Sequence, residues 1–278
     1  MRRSVWIAAL ALVTAGCDNT APTSSETAAT GSGGASVQRD PQTTAQTPAA
    51  SPAALPPGRT EKVENDLYEF GYAYPAKAAA IPGLKSLLDK RLDAAKAELE
   101  AGSKTDQAEA AKNAYPYRKH SSEVTWKVVT DLPRWLSLSA DMYDYSGGAH
   151  GMSFFDGLLW DRQQNMARTT SDLFLSKAAL SSELRQPFCA ALDKERAKRR
   201  GTPVNRNSGD QFDECIDPVE HTIILGSSNG RTFDRIGVLV EPYAAGSYAE
   251  GTFDITLPVT TAMLAVVKPA YRSEFSAK

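Results

Sequence analysis

The chain holds three histidines, His120, His150 and His221, and imidazole is the side chain best suited to proton transfer or metal binding near neutral pH. Their spacing limits what they can do. No HExxH or HxH pattern occurs, so no two of them stand at a spacing that puts paired zinc ligands on one element. His150 with Asp144 and Asp156 is the one mixed set that a hairpin would bring together. A serine nucleophile on a strand-to-helix elbow needs GxSxG, which is absent. GSGG at Gly31–Gly34 follows no strand and is no phosphate loop. The residue types therefore point to a non-enzymatic chain without metal or cofactor, and a metal-dependent hydrolase using His150 is the weaker alternative.

His150 is singled out by its setting, YSGGAHGMSFF, which runs from Tyr145 to Phe155. Gly147, Gly148 and Gly151 take positive φ or admit close backbone approach, which residues with a Cβ do poorly. GGAHG thus reads as a tightly wound loop with His150 near its tip. The segment before it, RWLSLSADMYDY, alternates as a strand, with Leu136, Leu138, Ala140 and Met142 on one face and Ser137, Ser139 and Asp141 on the other. MSFFDGLLWD after it is a second strand, and the two make a hairpin.

Further elements must hold that hairpin. In DLYEFGYAYP the aromatics Tyr68, Phe70, Tyr72 and Tyr74 recur with period two, the mark of a strand with an aromatic core face; Pro75 ends it. A helix should start at Pro82, bury Leu84, Leu88, Leu92, Ala95 and Leu99, and close at Gly102, with a polar helix over Asp106–Asn113. SEVTWKVVTD reads as a strand and DRQQNM as a turn. A second long helix buries Leu184, Phe188 and Leu192. Lys194, Arg196, Lys198, Arg199 and Arg200 crowd its end before Gly201, as a solvated face that suits the helix dipole. EHTIIL, RIGVLVEPY and GTFDITLP are three more strands, with Asn229-Gly230 turning between the first two. The fold class is α+β: an antiparallel or mixed sheet with a few packed helices, preceded by a disordered tether.

Composition bounds the partners. The net charge of the 278-residue chain is −2, which leaves no positive excess to neutralise phosphates and argues against nucleic acid. MRRSVWIAALALVTAGC opens with two arginines, an apolar stretch and small residues, a signal peptide over 1–16. Its end resembles a bacterial lipobox, which implies a lipid on Cys17 and contact with the membrane through it. Asp18-Asn19 resembles the signal that retains lipoproteins in the inner membrane. The expected location is the periplasm-facing bacterial envelope. Residues 17–60, rich in Ala, Thr, Ser, Gly and Pro, form the tether, too poor in apolar surface to offset the entropy of ordering. No later stretch has the 18 apolar residues that spanning requires. Cys189 and Cys215 remain, and in an exported protein such a pair reads as a disulfide.

YSGGAHG followed by WDRQQNMARTTSDLF resembles the extracellular region of RsiV-type lysozyme-sensing anti-sigma factors and the accessory domain of PdaC-type peptidoglycan deacetylases. The matching positions are Tyr145, Gly147, Gly148, Ala149, His150, Gly151, Asp161, Asp172, Leu173 and Phe174. VLVEPYAAGSYAEGTFDITLP is similar to the family's second signature, through Pro242, Tyr243, Ala244 and Gly246. Gln164-Asn165 stands where the family usually carries Thr-Gly. The resemblance implies one α+β module, with an N-terminal half over 61–180 and a C-terminal half over 181–278. It implies binding of an envelope ligand, a lysozyme-like protein or peptidoglycan, through His150, Tyr145 and Tyr243. Neither a sigma-binding segment nor a deacetylase domain is recognisable, so neither activity carries over. A structural lipoprotein docking on a protein partner is the alternative.

Overall fold

The computed structural model describes residues 55–278; Cys17, the expected signal peptide and residues 17–54 of the expected tether lie outside the described residues. The first strand of the described residues, β1 (Arg59–Glu64), starts two residues before the expected start of the folded module and is antiparallel to β2 (Tyr68–Tyr74). A single turn α1 (Ala76–Ala79) and the long helix α2 (Pro82–Lys112) then cross over to β3 (His120–Asp131), which pairs parallel to β2. β3, β4 (Trp135–Tyr145), β5 (Met152–Asp161) and the short β6 (Met166–Arg168) follow as an antiparallel meander. This mixed six-stranded sheet has the order β1-β2-β3-β4-β5-β6.

α2 does not stop at Gly102. A Cβ at Gly102 would meet nothing within 4 Å, and the helix runs on to Lys112, absorbing the expected polar helix. Glycine ends a helix through a left-handed turn; inside one it costs only about 1 kcal/mol relative to alanine. Leu84, Leu88 and Leu92 pack on the aromatic face of β2, where Tyr68, Phe70, Tyr72 and Tyr74 are all buried in the same core. The phenols stay paired: Tyr74 donates to Asp89 at 2.6 Å, and Trp126 Nε1 donates to Tyr72 at 2.9 Å.

The second long helix, α3 (Lys177–Arg200), ends at Gly201 with φ +72 as expected. Leu180, Leu184, Phe188 and Leu192 join a core with the antiparallel three-stranded sheet β7 (Thr222–Gly226), β8 (Arg235–Val240) and β9 (Phe253–Pro258). Residues 180 and 181 lie inside α3, which begins at Lys177. The short helix α4 (Thr261–Ala265) adds Met263 to that core. So do Trp135 and Leu159 of the first sheet, so part of that sheet is covered on both faces. For this reason Ser137 and Ser139 are buried rather than turned to solvent. Cys189 and Cys215 are joined by a disulfide, with Cα atoms 5.6 Å apart. No helix of the described residues is long and apolar enough to cross a membrane.

The basic end of α3 is not simply a solvated face. Arg196 is fully buried, with Nε donating to Ala245 O at 2.7 Å and Nη1 to Glu214 O at 2.9 Å. Arg200 reaches Asp213 at 2.7 Å and Glu250 at 2.8 Å. These guanidiniums tie the helix to the segments around Cys215 and Tyr248, where planar forks match carboxylate and carbonyl acceptors. Helical periodicity alone could not show those acceptors, because they come from distant sequence.

Candidate functional site

β4 and β5 pair from Trp135↔Asp161 to Asp144↔Met152, which leaves residues 146–151 as the loop at the hairpin end. Gly147 has φ +86, a conformation a side chain resists. Gly151 is needed for space: a Cβ there would come within 2.3 Å of the Tyr143 hydroxyl. Gly148 meets neither condition, since its φ is not positive and an added Cβ would touch only His150 O at 3.9 Å. Gly147 is thus set by its backbone angle and Gly151 by the seat of the Tyr143 ring, while Gly148 is set by neither. The loop carbonyls are held from outside: Tyr145 donates to Gly148 O at 3.1 Å, and Arg118 Nη1 to the same oxygen at 3.0 Å.

His150 is exposed at the end of this loop. Its Nδ1 lies 2.9 Å from Gly151 O, and a carbonyl only accepts, so Nδ1 carries the proton. With the proton on Nδ1, Nε2 is the acceptor of a hydrogen bond from Tyr243 OH at 3.2 Å. Tyr248 stacks on the imidazole at 3.8 Å between centroids and donates its own hydroxyl to Gly151 O at 3.0 Å. Tyr243 and Tyr248 lie 5.6 Å apart. Residues nearly a hundred positions apart in sequence thereby form one cluster of three rings.

Tyr243 has the most unusual backbone of the group. Its φ is +67 and its side chain is 49% exposed. A bulky residue in the left-handed region costs of order 1–3 kcal/mol, and such strain collects where function over-determines a conformation. Here the strain presents a ring to solvent. Of the residues expected at the site, His150 and Tyr243 come into contact, while Tyr145 braces the loop from below. Tyr248, Arg118 and Tyr143 were not foreseen. Tyr248 lies inside the second signature, and its distance of five residues from Tyr243 was the only sequence signal.

The remaining histidines stay apart. His120 is buried against Asp106 at 3.2 Å, and His221 Nδ1 lies 3.2 Å from Glu241. Asp156 pairs with Arg91 of α2 at 2.8 Å rather than with His150. Among the described residues, no group of three or more His, Cys, Asp or Glu is placed to hold a metal ion. Both nitrogens of His150 are occupied by a carbonyl and a phenol, with no carboxylate of the described residues bonded to the ring, so the cluster is built for stacking and hydrogen bonding.

The other signature positions are structural. Asp161 is fully buried in a two-point pair with Arg134, at 2.7 and 3.2 Å. Burial pushes its carboxyl up, but the Arg134 guanidinium and the backbone N–H groups of Gln164 and Gln163 outweigh that and hold it below the usual range. Asp172 closes a capping box with Thr169, and Leu173 and Phe174 are core. Asn165 has φ +49, a conformation asparagine enters more readily than most residues, so Gln-Asn can serve as this turn.

Residues 61–153 match the family described as "Deacetylase PdaC". That stretch runs from β1 through the GGAHG loop; Tyr243 and Tyr248 lie beyond it. A crystal structure of a DUF3298 family member from Bacteroides fragilis is similar, at 15% identity and a TM-score of 0.47, over 78% of this chain and 94% of that one. A DUF3298 family protein from Pseudomonas aeruginosa is similar at 14% identity and a TM-score of 0.42, over 81% and 99%. No curated protein matches the chain.

Proposed function

We propose that this protein is a non-catalytic binding module of the bacterial envelope, held at the membrane by a lipid on Cys17. Its contact face is formed by His150, Tyr243 and Tyr248, with Tyr145 fixing the loop. The observation that carries the reading is the strained, exposed Tyr243 ring bonded to His150 from a loop 93 residues away. Exposed aromatic rings give large contact area at low entropic cost and stack equally on protein and sugar surfaces. The ligand is a lysozyme-like protein or peptidoglycan.

The test is binding of the immobilised full chain to a panel of lysozymes and to purified peptidoglycan. Tyr243→Ala and His150→Ala should each reduce binding while leaving the melting temperature close to wild type. Absence of binding to every member of both panels, or binding indifferent to both substitutions, would overturn the proposal. For the anchor, mass spectrometry should find a diacylglyceryl group on Cys17. Cys17→Ser protein that stays with the membrane would rule the anchor out.

A further inference from the structure

β5 is paired along its whole length on one side only. β6 covers just Leu159–Asp161 of its other edge. The direction of each backbone group follows from the ladder. Arg162 N donates to Arg134 O, and groups alternate along an antiparallel strand. Residues 152, 154 and 156 therefore bond to β4, whereas 153, 155 and 157 point outward. Side chains confirm the alternation by capping outward groups at both ends of the stretch. Tyr248 OH donates to Gly151 O, Thr222 Oγ1 donates to Phe155 O at 3.0 Å, and Gly157 N donates to Asp156 Oδ1 at 2.7 Å. Between these caps, Ser153 N–H, Ser153 C=O and Phe155 N–H have no hydrogen-bond partner among the described residues. One short edge has been left open where its flanks are closed.

A cleft of about 370 Å³ adjoins the same stretch, with Phe155 in its wall. The His221 side chain, nine-tenths buried, lines it; Nδ1 is held by Glu241 and Nε2 has no partner among the described residues. Of the carboxylates around the cleft, Asp156 is paired with Arg91 at 2.8 Å and Glu220 with Lys177 at 3.7 Å, which leaves Glu241, beside His221, without a lysine or arginine partner among the described residues. Unpaired backbone beside a cleft that holds the Glu241 carboxylate suits an extended peptide with a basic residue, whose main chain supplies hydrogen bonds while alternate side chains enter pockets.

We infer that the open edge of β5 at Ser153–Phe155 is a strand-addition site for an extended segment of a partner protein that carries a lysine or arginine into the cleft of His221 and Glu241. The inference goes beyond the aromatic contact face and concerns the neighbouring edge of β5. Asp156 is already paired with Arg91, so the cationic residue is favoured on the face of the added strand that lies toward Glu241.

The test pans phage-displayed random decapeptides on the full chain and measures a selected synthetic peptide by fluorescence anisotropy. Selected sequences should alternate β-branched or aromatic residues and contain a lysine or arginine. In amide exchange, Ser153 and Phe155 should gain protection when the peptide binds. Ser153→Pro, which removes an outward N–H without breaking a β4–β5 bond, should weaken binding at least about tenfold, while Ser153→Ala, which keeps the N–H, stays within about twofold. Glu241→Gln should weaken binding severalfold and flatten its salt dependence, testing the site without touching the strand. Tyr243→Ala separates the two proposals: peptide binding kept there and lost in Ser153→Pro upholds the edge even if the aromatic face binds nothing. Failure to select any peptide, equal binding by Ser153→Pro and wild type, or selected peptides without a basic residue would overturn the inference. A wild-type dimer that Ser153→Pro dissolves would overturn it in favour of a second copy of this chain.

Discussion

Replacing the three loop glycines one at a time by alanine tests the account of GGAHG. At Gly147 the φ of +86 must be kept, and a left-handed L-residue costs about 1–2 kcal/mol. For a domain of this size each kcal/mol moves the melting temperature by about 2–4 °C, so Gly147→Ala should melt about 2–8 °C lower. Gly148 has no such demand, and the nearest atom to an added Cβ is 3.9 Å away. There alanine narrows the unfolded ensemble, and Gly148→Ala should be neutral or more stable by about 0.4–1 kcal/mol. At Gly151 the methyl group falls 2.3 Å from the Tyr143 hydroxyl, but that ring is 37% exposed and can swing outward. Gly151→Ala should therefore cost only the packing of that ring, about 1 kcal/mol, and Tyr143→Ala should abolish the penalty in a double-mutant cycle. Differential scanning calorimetry of the singles and the double measures all of this. If Gly148→Ala proves as damaging as Gly147→Ala, or Tyr143→Ala gives no relief, the assignment of roles within the loop is wrong.

Acid should unfold the chain partly through Asp89. Burial raises its carboxyl, but hydrogen bonds from Lys85, Tyr74 and Arg59 bring it from the usual 3.8 down to about 2. Its stabilisation is present above pH 3.8 and lost as pH falls toward 2, so Asp89→Asn should lessen the acid sensitivity seen in equilibrium denaturation across that window. Asp161→Asn should destabilise by about 1–3 kcal/mol in urea titrations, because it removes the buried two-point pair and leaves Arg134 with Glu274 alone, at 3.2 Å. Reducing the Cys189–Cys215 bridge should cost about 3.5 kcal/mol on the loop-entropy model without abolishing the fold, as read by near-UV circular dichroism.

Periodic patterns make much of this fold legible in the sequence. Period two in YEFGYAY and in LSLSADM placed β2 and β4, and the spacing of Leu84, Leu88 and Leu92 placed the buried stripe of α2, because each pattern records which side of one element meets the core. What those patterns do not carry is the second neighbour. The alternation sets Ser137 and Ser139 opposite the apolar face, but nothing local says that another core lies behind β4 and buries them. Arg196 looked like part of a charged surface, since its acceptors, Ala245 O and Glu214 O, come from loops far along the chain. Gly102 looked like a stop, although a glycine ends a helix only when the backbone beyond it turns. The site followed the same division. The residue types and glycines of YSGGAHG marked a loop with an unusual histidine, because tight turns demand particular residues locally. That His150 would share a hydrogen bond with Tyr243 and a stacked face with Tyr248 was decided by tertiary structure alone, since only the folding of the two sheets brings positions 93 and 98 residues away onto the tip of one hairpin.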